Sequence, residues 1–155
     1  MIDDIASLRR ILKTCRTVAV VGLSAEWHRP SFFVAKYLQE HGYRVIPVNP
    51  RHAGGEILGE QVFASLEDVP GPVDMVDVFR RSEDVPPIAA QAIRMGAKCL
   101  WQQLGVASLE ADAAARAAGL DSVMNRCTKI EHARLFGGLN WAGVNTGVVS
   151  AKRPL

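Results

Sequence analysis

The segment Thr17-Val18-Ala19-Val20-Val21-Gly22-Leu23-Ser24 decides the fold. Residues 17–22 form a run of valine and alanine that ends in glycine, a pattern typical of a strand buried on both faces. Strands of this kind occur in parallel sheets that helices cover on both sides. The segment therefore predicts the first strand of a parallel α/β sheet.

Predicted strands and helices alternate along the chain around that segment. A helix is expected at residues 3–13, because Ile5, Leu8 and Leu12 recur at helical spacing behind two acidic residues. Further strands are expected at residues 43–48, 73–79, 97–101 and 121–124, and further helices begin near Pro30, Val85, Ser108 and Lys129. This alternation predicts an α/β fold: a doubly wound, Rossmann-like sheet of five parallel strands with helices on both faces.

One residue argues against the second of these strands. Pro47 lacks the N–H that a strand interior needs. We retain the strand and place Pro47 near its C-terminal end. A glycine-rich loop and a short helical turn near residues 65–69 are expected between the second and third strands.

Length and composition indicate one ordinary folded domain. The chain has 155 residues, of which 48% are hydrophobic and 22% charged, and this excludes disorder of the whole chain. No apolar stretch approaches the roughly 20 residues that cross a bilayer, so no membrane span or signal peptide is expected. We expect residues 1–136 to form the domain and residues 137–155 a poorly ordered basic tail.

The cysteines and the net charge exclude further classes of protein. Three widely spaced cysteines, Cys15, Cys99 and Cys127, predict neither a disulfide framework nor a metal site, and favour the cytoplasm. A formal net charge of +2 is too small for a nucleic-acid-binding protein held by phosphate contacts. Residues 125–155 nevertheless carry five basic residues and one acidic residue, which could serve an anionic small molecule.

An anion site is predicted where the first strand enters its helix. In open parallel sheets, ligands bind outside the carboxyl ends of the strands. The turn from Gly22 to Ser24 and the helix start at Arg29-Pro30-Ser31 place free N–H groups there. The Ser24 and Ser31 hydroxyls and the Arg29 guanidinium add donors for an anion.

The same segments disfavour NAD. The GxGxxG fingerprint is missing, because Ser24 and Trp27 occupy its second and third glycine positions. The second strand ends in Asn49-Pro50-Arg51, without the acidic residue that holds a ribose hydroxyl. Arg51 and His52 could instead meet a phosphate on the ribose, which leaves NADP open.

The remaining strand ends supply further candidates at the same edge. Phe79-Arg80 follows the third strand and Gln103 the fourth, where they could contact an extended polar ligand. After the fifth strand, Cys127 precedes Glu131-His132, residue types that can form a Cys/His nucleophile or a metal site. Cys127 and His132 are five residues apart, not a helical i, i+4 pair, and we predict no metal and no catalytic residue.

Six segments together resemble a known family. They are Val20-Val21-Gly22-Leu23-Ser24, Arg29-Pro30-Ser31, Gly42-Tyr43-Arg44-Val45-Ile46-Pro47-Val48-Asn49-Pro50, Val76-Asp77-Val78-Phe79-Arg80, Trp101-Gln102-Gln103-Leu104-Gly105, and Asn125-Arg126-Cys127 with Glu131-His132. The chain resembles the stand-alone CoA-binding proteins, small Rossmann-like proteins related to the CoA-binding domain of the succinyl-CoA synthetase α subunit. The resemblance covers residues 5–137.

The resemblance implies a coenzyme A site at the strand ends. By it, the phosphates lie near Gly22, Leu23, Ser24, Arg29, Pro30 and Ser31, the adenosine lies beside Asn49, Pro50 and Arg51, and the pantetheine arm passes Phe79, Arg80, Gln103 and Gly105. Asn125 and Arg126 complete this set of expected binding residues. The resemblance does not extend to the second, catalytic domain of the synthetase, so we do not expect acyl-CoA ligation by this chain alone.

Three hypotheses follow from the sequence. The first is a module that binds CoA or an acyl-CoA without catalysis of its own. The second is an enzyme, either an NADP-dependent reductase that uses Arg51 or an acyl transferase that uses Cys127 as nucleophile. The third is a regulatory partner protein, in which the helix at residues 129–136 and the basic tail contact another chain, including a second copy in a homodimer.

Overall fold

Helices and strands alternate along residues 2–137, the part of the chain that the computed structural model describes. Five α-helices lie in this range: α1 (Ile5–Thr14), α2 (Pro30–Glu40), α3 (Val85–Arg94), α4 (Leu109–Ala117) and α5 (Thr128–Phe136). The strands of these residues are β1 (Thr17–Val21), β2 (Arg44–Val48), β3 (Glu56–Ile57), β4 (Glu60–Gln61), β5 (Met75–Val78), β6 (Cys99–Gln102) and β7 (Asp121–Val123). Short 3₁₀ helices follow β2, β4 and β5.

The main sheet is parallel and doubly wound. Its strand order is β2-β1-β5-β6-β7, and every neighbouring pair in it is parallel. Helices α1, α2 and α5 contribute to the core on one face, and α3 and α4 to the core on the other. The predicted fold class is therefore confirmed, with boundaries that shift by one or two residues at most strand and helix ends.

Strand β1 is the centre of this arrangement. It pairs with β2 on one side and β5 on the other. Val18 and Val20 face the core beneath α1, α2 and α5, whereas Ala19 and Val21 face the core beneath α3 and α4. Both faces being covered explains why this strand is apolar without alternation. The chain leaves β1 in one direction and later returns to β5 in the other, so the topological switch point lies between these two strands.

Pro47 is accommodated because β2 is the edge strand. It is the fourth of five residues in β2, and its carbonyl accepts from the Phe63 N–H at 3.0 Å on the side away from β1. The N–H and C=O of one strand residue point the same way, so the N–H that proline lacks would also point away from β1. The missing N–H of Pro47 therefore removes no hydrogen bond between β1 and β2.

The segment between β2 and β5 contains one feature that was not predicted and one that was. Strands β3 and β4 form a small antiparallel hairpin where the sequence predicted only a glycine-rich loop. The predicted helical turn is the 3₁₀ helix Leu66–Asp68.

The predicted basic tail, residues 137–155, lies outside the described residues except for Gly137. Within residues 2–137, no helix combines the length and apolar character needed to cross a membrane.

Gly22 ends β1 at a point of close backbone approach. Its φ is +89°, and a Cβ atom added there would lie 2.5 Å from the Phe79 carbonyl oxygen at the end of β5. The Phe79 N–H donates to the Val21 carbonyl at 2.8 Å, which fixes this approach. Glycine is required here for both its conformation and its lack of a side chain.

We expect Gly22→Ala to lower the free energy of unfolding by roughly 3 kcal/mol, because left-handed strain and a backbone clash add. Gly54→Ala is the matched control: its φ is +86°, but nothing lies within 4 Å of an added Cβ. The control should lose only about 1 kcal/mol. Chemical denaturation measures both, and equal losses would contradict the close approach.

Candidate functional site

A two-armed cleft lies at the carboxyl ends of the strands, next to the switch point. One arm, the polar arm, has a volume of about 410 Å³. The other, the apolar arm, has a volume of about 870 Å³. Pro30, Phe79 and Arg80 line both arms, so the two arms meet at the end of β5 and the start of α2.

Hydrogen bonds within the chain shape the floor of the polar arm. The Ser24 N–H donates to Ser31 Oγ at 2.9 Å, and the Glu26 N–H donates to Ser24 Oγ at 3.1 Å. Each serine hydroxyl therefore acts as an acceptor inside the loop and keeps its own hydrogen for another partner. Asn49 Nδ2 donates to the Leu23 carbonyl at 3.0 Å and ties the end of β2 to the same loop.

Basic side chains surround the polar arm. Arg29 forms an exposed ion pair with Glu26 at 3.1 Å, an interaction worth under about 1 kcal/mol that an incoming anion can replace. Arg51 follows Asn49, whose side chain accepts from the Arg51 N–H at 3.0 Å. Arg80 is half-buried where the arms meet, and among residues 2–137 no carboxylate forms an ion pair with it. This surplus of positive charge suits an anionic ligand.

The apolar arm is lined mainly by hydrocarbon. Three of its side chains are large, apolar and exposed: Phe33 of α2, Leu104 after β6 and Ile130 of α5. Val34, Val106 and Cys127 line it as buried residues. Its charged residues are Arg80, Arg81, Asp84 and Lys129.

A buried carboxyl group holds Gln103 in one orientation in the apolar arm. Gln103 Nε2 donates to Asp77 Oδ1 at 2.6 Å and to Thr128 Oγ1 at 2.8 Å, and Thr128 Oγ1 donates to Asp77 Oδ2 at 3.0 Å. Both amide hydrogens of Gln103 are thereby used. Its Oε1 accepts no hydrogen bond from the described residues and is the atom left to accept one from a ligand.

Asp77 is fully buried, and this burial raises the pKa of its carboxyl group to about 7, although the Gln103 and Thr128 donors oppose the shift. Burial also raises the pKa of the Cys127 thiol above its ordinary value, with opposition from the N–H groups of Ile130 and Lys129. Cys127 is therefore mostly a neutral thiol near neutral pH, which is the weaker nucleophilic form.

Ten of the fifteen predicted site residues line the cleft. They are Gly22, Ser24, Arg29, Pro30, Ser31, Asn49, Arg51, Phe79, Arg80 and Gln103. Leu23 lies beneath the loop, fully buried, and contributes its carbonyl to Asn49. Pro50 lines a smaller neighbouring pocket with Arg80.

Gly105, Asn125 and Arg126 lie outside the two arms and connect loops instead. The Gly105 N–H donates to Asn125 Oδ1 at 2.8 Å, and Asn125 has a φ of +57°. Arg126 forms ion pairs with Asp3 and Glu131, and its carbonyl accepts from Trp101 Nε1 at 2.8 Å. The resemblance implied that these residues bind the ligand, and in the structure they connect the loops after β6 and β7.

Glu131 and His132 also have structural partners. Glu131 is fully buried and is paired with Arg134 at 2.5 Å. His132 Nδ1 and the Tyr37 hydroxyl are hydrogen bonded at 2.9 Å. Among residues 2–137, no group of three or more His, Cys, Asp or Glu side chains is placed to hold a metal ion.

Sequence reasoning missed the residues that helices bring to the cleft. Phe33 and Ile130 fit the apolar patterns of α2 and α5 as well as any core residue would, and only their exposure separates them from the core. The exposed position of Leu104 in the apolar arm was not predicted either. The sequence also gave no sign that Asp77 and Thr128 meet beneath Gln103.

The fold and the cleft define a small Rossmann-like domain with a ligand site at its topological switch point. The family model described as "CoA binding domain" matches residues 16–133. The chain belongs to this family, and the resemblance seen in the sequence is confirmed.

Individual relatives agree with the family match. The chain is 39% identical over 128 residues to "Uncharacterized protein YneT" of Bacillus subtilis, covering 83% of this chain and 93% of that protein. A solved structure from Thermus thermophilus, "The structure of cell-free ID.343", superposes with a TM-score of 0.83 at 39% identity and covers 86% of this chain and all of that one. An ADP-forming acetate–CoA ligase of Archaeoglobus fulgidus is 31% identical over 85 residues, covering 54% of this chain but 12% of the ligase.

We expect Asp77→Asn to change how stability depends on pH. The pKa of Asp77 is raised in the folded protein, so its favourable contribution is complete below about pH 4 and is lost as pH rises to about 7. The variant avoids this loss. Its free energy of unfolding, relative to that of the wild type, should therefore rise by roughly 2 to 4 kcal/mol between pH 4 and pH 8. Urea denaturation at several pH values measures the difference, and two parallel pH profiles would contradict the account.

Proposed function

We propose that this protein binds coenzyme A, free or acylated, in the two-armed cleft and carries out no reaction on it alone. The observation that carries the proposal is that a basic, donor-rich arm and a hydrocarbon-lined arm meet at Arg80. Coenzyme A has the same division, because an adenosine with phosphates is joined to a long pantetheine chain. The family match supports this ligand over other anions.

The polar arm suits the nucleotide half of the ligand. The hydroxyl hydrogens of Ser24 and Ser31 and the Ser31 N–H can meet the diphosphate, with Arg29 and Arg80 supplying charge. Arg51 lies at the carboxyl end of β2, and we assign it to the phosphate on the 3′ position of the ribose. Such a contact would distinguish coenzyme A from its dephosphorylated precursor.

The apolar arm suits the pantetheine half. Pantetheine carries two amide groups, each with an N–H donor. Gln103 Oε1 can accept from such a donor, because Asp77 and Thr128 hold the Gln103 amide in this orientation. Phe79 and Val34 supply apolar contact for the methyl-bearing part of the chain.

We also propose that the protein catalyses no reaction alone, because its candidate catalytic side chains are buried or bound to other side chains. Cys127 is buried, and burial raises the pKa of its thiol. Glu131 and His132 are engaged with Arg134 and Tyr37. The acyl-transferase alternative therefore lacks an activated nucleophile with a neighbouring base.

We also propose where the protein is located and what it contacts. Cys15, Cys99 and Cys127 are all free and buried, which supports the cytoplasm as the proposed compartment. A protein partner or a second copy at α5 stays a prediction.

We expect coenzyme A to raise the melting temperature more than dephospho-CoA, NADPH or NAD at equal concentration. A ligand present at 100 times its dissociation constant stabilises the folded state by about 2.7 kcal/mol. Differential scanning fluorimetry of the full chain measures the shift. No shift with coenzyme A, or a larger shift with NADPH, would contradict the proposal.

Arg51→Ala should weaken coenzyme A binding by about tenfold, because a charge-assisted hydrogen bond to the 3′-phosphate is lost. It should leave dephospho-CoA binding unchanged. Arg44→Ala is the matched control, since Arg44 is an exposed arginine at the opposite end of the same strand. Isothermal titration measures all three proteins, and an equal loss with both ligands would refute the assignment of Arg51.

The three thiols should react slowly with iodoacetamide at pH 7.5 in the folded protein. Burial raises the pKa of Cys15 to about 11 and raises the pKa values of Cys99 and Cys127 as well. Denaturation in urea should accelerate all three reactions. Rapid and selective modification of Cys127, seen by peptide mass spectrometry, would instead favour the acyl-transferase alternative.

A further inference from the structure

The apolar arm exposes more hydrocarbon than the thiol end of coenzyme A can use. Phe33 is 43% exposed, Leu104 44% and Ile130 37%, and all three line this arm. They come from α2, from the loop after β6 and from α5, so three separate elements contribute apolar surface to one concave site. Large exposed apolar residues gathered in this way mark a binding surface.

The polar groups of the arm are too few for a second polar ligand segment. Gln103 contributes an uncharged amide to the arm. Both hydrogens of this amide are already donated to Asp77 and Thr128. The remaining uncharged lining consists of hydrocarbon and the Cys127 thiol. A ligand segment next to Leu104 and Ile130 therefore has to be apolar if it is to be bound well.

Two of the three cations of the apolar arm have other roles, since Arg80 is assigned to the diphosphate and Arg81 is paired with acidic side chains. Arg81 forms ion pairs with Glu83 at 3.5 Å and with Asp84 at 3.2 Å. The Lys129 ammonium lies over the Phe33 ring, 5.4 Å from its centroid, and over the Tyr37 ring at 5.7 Å. Among residues 2–137, Lys129 is the cation of the arm left for an acidic acyl end, so succinyl-CoA is the competing ligand in the test.

We propose that the physiological ligand is a coenzyme A thioester with an unbranched apolar acyl chain, which the apolar arm selects over free coenzyme A. This inference rests on the proposed function, because the same cleft must first hold the coenzyme A moiety. The acyl chain lies against Phe33, Leu104 and Ile130 and removes their exposed surface from water. Each fully buried methylene strengthens binding by about fourfold.

The test compares coenzyme A, acetyl-CoA, hexanoyl-CoA and succinyl-CoA by isothermal titration against the full chain. We expect affinity to rise in the order coenzyme A, acetyl-CoA, hexanoyl-CoA, with hexanoyl-CoA at least tenfold tighter than coenzyme A. The heat capacity change should also be more negative for hexanoyl-CoA, because burial of apolar surface has this signature.

Two variants locate the acyl chain. Leu104→Ser and Phe33→Ser should each reduce the ratio of hexanoyl-CoA to coenzyme A affinity by at least threefold. Leu109→Ser is the matched control, because Leu109 is an apolar residue of α4, 75% exposed, that does not line the apolar arm. The control should keep the wild-type ratio. Circular dichroism verifies that each variant is folded, and either variant alone suffices for the test.

The outcomes separate this inference from the proposed function. If no ligand binds, the proposed function fails and this inference with it. If coenzyme A and hexanoyl-CoA bind equally, or succinyl-CoA binds most tightly, the cleft binds coenzyme A but the apolar acyl selection is refuted. An unchanged affinity ratio in both serine variants would also refute it, since the chain would then lie elsewhere.

Discussion

The site depends on the close approach of two strand ends, which a glycine permits. Gly22 ends β1 with a left-handed backbone conformation, against the carbonyl of Phe79 at the end of β5. Because β1 and β5 flank the switch point, this approach determines where the loop to α2 and the side chains of Phe79 and Arg80 lie. A side chain at residue 22 would separate the strand ends and occupy the junction of the two arms.

The chemistry of each arm follows from the elements that border it. Loops and the start of α2 border the polar arm, and the hydroxyl hydrogens of Ser24 and Ser31 are free to bind anions because both hydroxyls act as acceptors within the loop. The apolar arm takes its exposed hydrocarbon from α2, from the loop after β6 and from α5. Gln103 places an uncharged amide among these groups, and the buried Asp77 beneath it explains how that amide presents a fixed acceptor. The carboxyl group of Asp77 beneath the cleft therefore positions Gln103.

The sequence predicted the main sheet well and the cleft incompletely, for physical reasons. Strands such as Thr17–Val21 are buried on both faces and carry an unmistakable apolar pattern. The hairpin of Glu56–Ile57 with Glu60–Gln61 has strands of two residues, too short to show any period. The loops of the polar arm were predictable because glycine, serine and proline mark them. The contacts of Asp77 with Thr128 depend on sheet register and helix packing, which no local pattern in one sequence reveals.

If one ligand spans both arms of the cleft, a crystal structure of the protein with coenzyme A will show the ligand lying across them. We predict the diphosphate at Ser24 and Ser31, the 3′-phosphate at Arg51, and the thiol end in the apolar arm beyond Gln103. Density for coenzyme A at any other surface, or a pantetheine chain that points away from the apolar arm into solvent, would contradict the account.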